Sequence, residues 1–521
     1  MELESINAGI LSILPPIIAI TLALVTKEVV SSLILGILSG TLIYSLASGL
    51  SIFAMFHVAS DLMISKVGDN AAMVIFLALL GALVALITKA GGSIAYGQWA
   101  SKKLKNKKSA SLATAFLGML IFIDDYFNCL TVGTVMKPVT DRHNISREKL
   151  AYLIDATAAP VCIIAPISSW AASVISYYPT QTGITGMQAF IGSVPMNLYA
   201  LLTIFMIVWM SLRPNSDYGP MARAEARAAR GEVLASGSDV SDDEISKINI
   251  SGKGRVFDLI IPVICLVVFS VLAMLFYGGF LDIEGSLGER MFEAFGETDA
   301  GMALSLGGLL SLIAAFFIFV PRKLMSFREF FSAITTGIKS MVPALIILAL
   351  AWTISGVCRD LLSTGPYVAG LVEQSNLPVI LIPAIMFAIA AGLSFATGTS
   401  WGTFGILIPI TITVCDLVAP MLSITSLSAV LAGSVFGDHC SPISDTTILS
   451  STGAGCKHID HVATQIPYAL TVAAVCFVGY FIAGITSGLG YGVSVAITLP
   501  VSLLLMIAAL LMIPKFFRKM Q

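Results

Sequence analysis

Two clusters of polar residues interrupt otherwise apolar runs. The first, Asp124-Asp125-Tyr126-Phe127-Asn128, follows Ile121-Phe122-Ile123. The second runs from Phe436 through Asp438, His439, Cys440, Ser441, Pro442, Ile443, Ser444 and Asp445 to Thr446 and Thr447. Carboxylates, amides and hydroxyls are hard oxygen ligands suited to a small cation. A buried carboxylate can carry a proton instead, because burial favours its neutral form. Each acid near mid-membrane costs roughly 2.5–3.5 kcal/mol on insertion scales, so a function or a buried partner must offset it. The candidate Na+ ligands are Asp124, Asp125, Asn128, Asp438 and Asp445. Asn128 lies four residues after Asp124 and shares its face in a helix. The alternative for either acid of the Asp124/Asp125 pair is that it caps a half-helix.

A third stretch, Thr397-Gly398-Thr399-Ser400-Trp401-Gly402-Thr403, has no acid. Its glycines permit unwound backbone, and Thr397, Thr399 and Ser400 supply hydroxyls for an ion or an organic solute. Ser441, Ser444 and Thr446 offer the same in the second cluster. A second rank consists of Asp155, Ser168, Trp401 and His439. Asp155 precedes Pro160, which should break its helix and free carbonyls. Trp401 can stack on a solute or pack. His439 can titrate near neutrality or serve as a hydrogen-bonded packing residue. Arg359-Asp360 reads as an interfacial ion pair rather than a site.

These residues need elements to hold them, and composition names the class. The chain has 521 residues, 57% hydrophobic and 12% charged, with mean hydropathy +0.92. Soluble domains carry about 25% charged residues. Apolar runs of 18 or more recur along the chain, each long enough to cross a bilayer. They are continuous rather than alternating, which selects helices over a barrel. We therefore expect an all-α polytopic membrane protein with about eleven transmembrane helices. The expected spans include 7–25, 150–178, 337–357 and 425–452. Two longer stretches, 109–137 and 377–418, are broken at their polar centres and read as helical hairpins. Glu2 and Glu4 replace the positive start of a signal peptide, so the first run should be retained as a span. Eight scattered cysteines form no CxxC pair and read as small core residues. No basic tract with interleaved aromatics points to nucleic acid, and no cofactor is expected.

Ala165-Pro166-Ile167-Ser168-Ser169 echoes Ser441-Pro442-Ile443-Ser444-Asp445 at an offset of 276 residues. The same offset carries Asp124 onto Ser400. Lys102–Lys108, Lys137–Lys149, the basic part of 212–256, Arg322–Arg328 and the C-terminal Lys515, Arg518 and Lys519 mark cytoplasmic loops, by the excess of basic residues there. That threading puts the N-terminus outside and the C-terminus in the cytoplasm. It also gives the two repeats opposite orientations, an arrangement recurrent in secondary transporters. The expected organisation is a first membrane half over 1–211 and a mobile cytoplasmic linker over 212–256. A second half over 257–486 follows, then a further helix and basic tail over 487–521.

Ile123-Asp124-Asp125-Tyr126 with Asn128, and above all Gly437-Asp438-His439-Cys440-Ser441-Pro442-Ile443-Ser444-Asp445-Thr446, resemble the NhaC-type sodium/proton antiporter family of the wider ion transporter superfamily. The resemblance implies a multi-pass transporter of the inner (cytoplasmic) membrane, with inverted repeats, paired hairpins and an elevator-like homodimer. It implies Na+ or H+ as coupling ions. Family members are also associated with malate/lactate exchange and amino-acid uptake, so a cation-coupled carrier of a small organic solute is the second expectation. An intramembrane enzyme is the third and least favoured. Asp124-Asp125-x-x-Asn128 superficially resembles a prenyltransferase Mg2+ motif, but no second acidic motif accompanies it. His439-Cys440 has no evident nucleophilic arrangement.

Overall fold

The computed structural model describes residues 4–520 except 27, 123–124, 167, 179–185, 215, 236–249, 365, 368–369 and 371–377. Its elements are helices, with no strand among the described residues. Among the described residues, eight helices are long and apolar enough to cross a membrane. A ninth results if Gly186–Met196 and Leu198–Leu212, bent by 45°, count as one span.

Two expected spans, 150–178 and 425–452, are each broken. The first divides into Arg147–Asp155, the single turn Ala159–Cys162 and Ser169–Tyr177. The second divides into Ser423–Cys440 and Asp445–Ala454. Proline removes a backbone donor and clashes with the preceding turn, and Pro160, Pro166 and Pro442 stand at these breaks. A serine then restarts each helix. Ser168 Oγ accepts from Ala171 N at 3.0 Å, and Ser444 Oγ accepts from Thr447 N at 3.4 Å. Hydropathy does not register such breaks, because the flanking residues stay apolar. The run 7–25 is a 3-10 turn, Gly9–Ile13, leading into Leu14–Thr26, and 337–357 is the second part of the 30-residue helix Phe327–Gly356.

Ten helices position the polar clusters: α1 (Lys107–Leu120), α2 (Asp125–Arg142), α3 (Arg147–Asp155), α4 (Ser169–Tyr177), α5 (Leu198–Leu212), α6 (Ile382–Thr397), α7 (Ser400–Val418), α8 (Ser423–Cys440), α9 (Asp445–Ala454) and α10 (His458–Thr486). The 276-residue offset carries α1 onto 383–396, α2 onto 401–418, α3 onto 423–431 and α4 onto 445–453. These ranges fall within α6, α7, α8 and α9. Packing follows the same exchange: α2 lies on α9, and α7 lies on α4. The α2/α9 crossing is close. A Cβ on Gly133 would sit 2.5 Å from the Gly453 carbonyl carbon.

The halves interleave. One apolar core joins Tyr152, Trp170 and Tyr199 to Phe404, Val435 and Tyr480. A second joins Ala71–Ala90, Phe257–Tyr277, Ala300–Phe319 and Phe327–Gly356 to α2 and α9. A 30-residue helix, Tyr491–Met520, closes the chain.

Residues Gly219–Ala228 form a helix docked on the start of α3. Glu225 accepts from Ser146 N at 2.9 Å and Ser146 Oγ at 2.8 Å, and pairs with Lys107 at 2.6 Å. Arg227 grips both oxygens of Glu148 at 2.7 and 2.8 Å. Lys149 pairs with Asp217, which also accepts from Tyr468 Oη at 2.5 Å. Alternating charge partners, invisible in composition, order this segment.

Candidate functional site

The two broken helices of the second half meet. α6 ends at Thr397, and Gly398 adopts a left-handed φ of +68° that lets the chain turn into α7. A Cβ on Gly398 would lie 2.6 Å from Ile443 O, so the 398–399 turn rests on the 441–444 break. Ser441 Oγ donates to Phe395 O at 2.8 Å and ties the breaks together. Each following helix presents its N-terminus to an acid, where the helix dipole favours negative charge. Ser400, first in α7, donates to Asp438 Oδ2 from N at 3.3 Å and from Oγ at 2.9 Å. Asp445 is itself first in α9, and its Oδ1 accepts from Thr446 N at 2.8 Å.

The other half reaches in through α2. Tyr126 Oη donates to Asp445 Oδ2 at 2.5 Å. Beside this contact is a cavity of about 290 Å³. Tyr126, Thr399, Trp401, Ile443 and Asp445 line it together with Lys66, Asn70, Trp352, Ser355 and Arg359. Lys66 pairs with Asp69 and Asp360, both at 2.9 Å, and Arg359 Nε donates to Asp360 Oδ1 at 2.7 Å. Arg359-Asp360 is thus an ion pair, as its sequence suggested, and also part of the cavity wall. Asp438 lies behind the cavity, 1% exposed, and its Oδ1 has no hydrogen-bond partner among the described residues.

The remaining sequence candidates divide by location. Asp124 lies outside the described residues. Asp125 begins α2 and is fully buried. Asn128 spans the break after α1: its Nδ2 donates to the carbonyls of Gly118 (2.6 Å), Ile121 (2.7 Å) and Thr157 (3.1 Å). Its Oδ1 is left buried with no partner among the described residues. Thr397 Oγ1 bonds Leu393 O at 2.9 Å within its own helix. Ser444 caps α9, and its Oγ lies 3.0 Å from that of Thr446. Trp401 packs on the buried Trp170 of α4 at 5.1 Å between ring centroids, so it faces the cavity and the core at once. Ser168 caps α4 as Ser444 caps α9. Asp155 and His439 belong to another group, with His461, Gln465 and Tyr199.

Sequence reasoning passed over Lys66, Asn70, Tyr199, His461 and Gln465. The spacing of His461 and Gln465, four apart in an apolar helix, was the readable signal for one pair. Nothing in Lys66 or Asn70 marked them, since the fold alone brings them opposite Asp445. Among the described residues no three acidic, histidine or cysteine side chains surround one point as a metal cluster would require. A cation here would take one or two carboxylate oxygens and complete its shell with hydroxyls and freed carbonyls.

Comparison with known proteins gives the family. The sequence model of the Na+/H+ antiporter family matches residues 161–485, which include both breaks of the second half. The chain is 39% identical over 510 residues to an uncharacterized protein of Haemophilus influenzae, covering 96% of each. It is 31% identical over 153 residues to an uncharacterized Na+/H+ antiporter of the same organism, covering 29% of this chain and 32% of that one. It is also 28% identical over 170 residues to the malate-2H+/Na+-lactate antiporter of Bacillus subtilis, covering 30% of this chain and 34% of that protein. A family of antiporters places the chain among secondary transporters rather than intramembrane enzymes. With its helices broken at the residues the family model spans, this chain belongs to the Na+/H+ antiporter family.

Proposed function

We propose that the chain exchanges Na+ for H+ by alternating access, with Asp445 as the group that holds one or the other. The single observation behind this is the place of Asp445: 7% exposed, first in α9, beside a cavity between the two halves. A bare carboxylate moving through the membrane interior carries the roughly 2.5–3.5 kcal/mol penalty of an unpaired charge. A bound proton or Na+ removes that penalty. The loaded forms therefore cross and the empty form does not, which makes the cycle an exchange. Asp438, held by Ser400 at the start of α7, fixes the partner break. Beside Tyr126, the hydroxyls of Thr399, Ser444 and Thr446 supply oxygens for the ion, and Asp125 and Asn128, with Asp124 next to them in sequence, supply the related half-site.

The matching offset and the exchanged packing of α2 on α9 and α7 on α4 support two inverted repeats. With the basic loops in the cytoplasm, the N-terminus lies outside and the cavity stands on the outer side, near Lys66 and Arg359. Na+-dependent proton movement in proteoliposomes without organic solute tests the exchange. Its absence overturns that reading.

One observation favours a second reading, transport of a small organic carboxylate coupled to the same ion. The cavity faces Asp445 with Lys66, Arg359 and Asn70, and is flanked by Trp352 and Trp401. Cationic and amide donors opposite an acid suit a carboxylate-bearing molecule, and the volume falls near the lower end of small-molecule pockets, about 300 Å³. Thermal shifts across a panel of organic acids and amino acids test it. No response, beside a clear response to Na+, counts against it.

A further inference from the structure

A second group of buried polar side chains lies apart from the cavity. Asp155 ends α3, and its Oδ2 accepts from His461 Nε2 at 3.1 Å and from Gln465 Nε2 at 2.7 Å, both on α10. The side chains of Asp155 and His461 are 1% and 0% exposed. Neither is bonded to a lysine or arginine among the described residues. Asp155 Oδ1, His461 Nδ1 and Gln465 Oε1 are all buried without a hydrogen-bond partner among the described residues. Neither the 290 Å³ cavity nor the apolar 490 Å³ groove at Tyr218 and Phe517 is lined by these residues.

We propose that Asp155 and His461 form a proton-binding site separate from the Asp445 exchange site. The proposal rests on the exchange reading above. The nitrogen that faces an ionised Asp155 must carry hydrogen, so Nε2 is the donor and Nδ1 holds a bare lone pair. In that state the pair has charge −1 where both side chains are buried. A buried carboxylate without a compensating charge costs several kcal/mol. One proton on Nδ1, or on the carboxylate, makes the pair neutral. The site is therefore built for one proton, and a proton needs no cavity, whereas Na+ or a solute does.

The titratable groups that face the pair come from every neighbouring element. They are Tyr152 on α3, His439 and Asp438 on α8, Asp445 on α9 and His458 on α10. Tyr199 on α5 bonds His439 Nδ1 at 2.7 Å, and Asp217 lies beyond Tyr152. Gln465 links the pair to the exchange site. The same amide nitrogen that holds Asp155 also donates to the main-chain carbonyl of His439, one residue after Asp438. A change of charge on Asp155 thus alters a bond shared with the end of α8.

The test uses the full chain in proteoliposomes as wild type, His461→Gln, Asp155→Asn and Asp445→Asn. Two readings are taken for each: exchange of radiolabelled Na+ for unlabelled Na+, and Na+-driven proton movement across a range of pH. The expected result is that His461→Gln keeps Na+ for Na+ exchange and Na+-driven proton movement but loses the wild-type pH profile of that movement, and that Asp445→Asn loses both readings. Asp155→Asn changes the pH profile in the same way. If wild type moves no protons, the exchange reading fails. If wild type does and His461→Gln matches its pH profile, the proton site is overturned. If His461→Gln melts as wild type does yet loses both readings, a separate site is overturned. Should Asp155→Asn not fold, His461→Gln decides alone.

Discussion

Gly398→Ala is the sharpest perturbation of the joint between the two breaks. The added Cβ would stand 2.6 Å from Ile443 O and 2.7 Å from Ile443 Cγ1. A carbon and a carbonyl oxygen settle near 3.3 Å or more, so the joint must open by roughly 0.7 Å. The residue also holds φ +68°, a conformation that costs an L-residue about 1–2 kcal/mol. Ile443 O belongs to the backbone that leads into Ser444 and Asp445, so the movement falls on the proposed ion site. Geometric errors of this size in a reacting site cost about a hundredfold. We expect Gly398→Ala to lower Na+-driven proton flux by tenfold or more on that scale, and to lower the melting temperature only modestly. Gly392→Ala, in the same helix with nothing within 4 Å of its Cβ, is the control and should be neutral or stabilising by about 0.5–1 kcal/mol. Flux and detergent melting curves are measured on both. Wild-type flux in Gly398→Ala would refute the joint as part of the site.

Other outcomes follow from the same geometry. Tyr126→Phe removes the bond to Asp445; a hydrogen bond to a charged group is worth about 1.5–3 kcal/mol, so the apparent Na+ affinity should change by roughly tenfold or more, read from the Na+ dependence of flux. Ser168→Ala and Ser444→Ala each delete a helix cap worth about 1 kcal/mol, and similar melting losses in the two are expected if they are repeat equivalents. Gly133→Ala should destabilise by about 1–3 kcal/mol through contact with the Gly453 backbone. Glu225→Gln should release the Gly219–Ala228 helix, because it weakens the pairs with Lys107 and Ser146, and faster proteolysis within 212–235 is the readout.

The class of the fold was legible because lipid leaves so few options. Long apolar runs with charges confined to loops admit helices only. The 276-residue offset was legible too, and helix boundaries in both halves follow it. Hydropathy hid breaks flanked by apolar residues, and the break expected at Pro160 was readable only from the proline itself. The spans 150–178 and 425–452 look continuous because Pro160, Pro166 and Pro442 change backbone bonding, not hydropathy. The acids of the second cluster stood out, since a carboxylate in an apolar run is rare and costly. Lys66 and Arg359 did not, because their place opposite Asp445 depends on how Ala54–Asp69 and Phe327–Gly356 pack. His461 and Gln465 were lost inside a 29-residue apolar helix, where four-residue spacing is a weak mark until Asp155 is seen against it. The docked 219–228 helix was missed because its stability comes from distant partners at 107 and 146–149.

The central claim is that Asp445 holds Na+ and H+ in turn. Proton movement driven by an inward Na+ step, in proteoliposomes holding wild type or Asp445→Asn and no organic solute, tests it most directly. Wild type should alkalinise the vesicle interior as Na+ enters, and Asp445→Asn should not, at equal protein incorporation. Equal Na+-driven proton movement in both would contradict it.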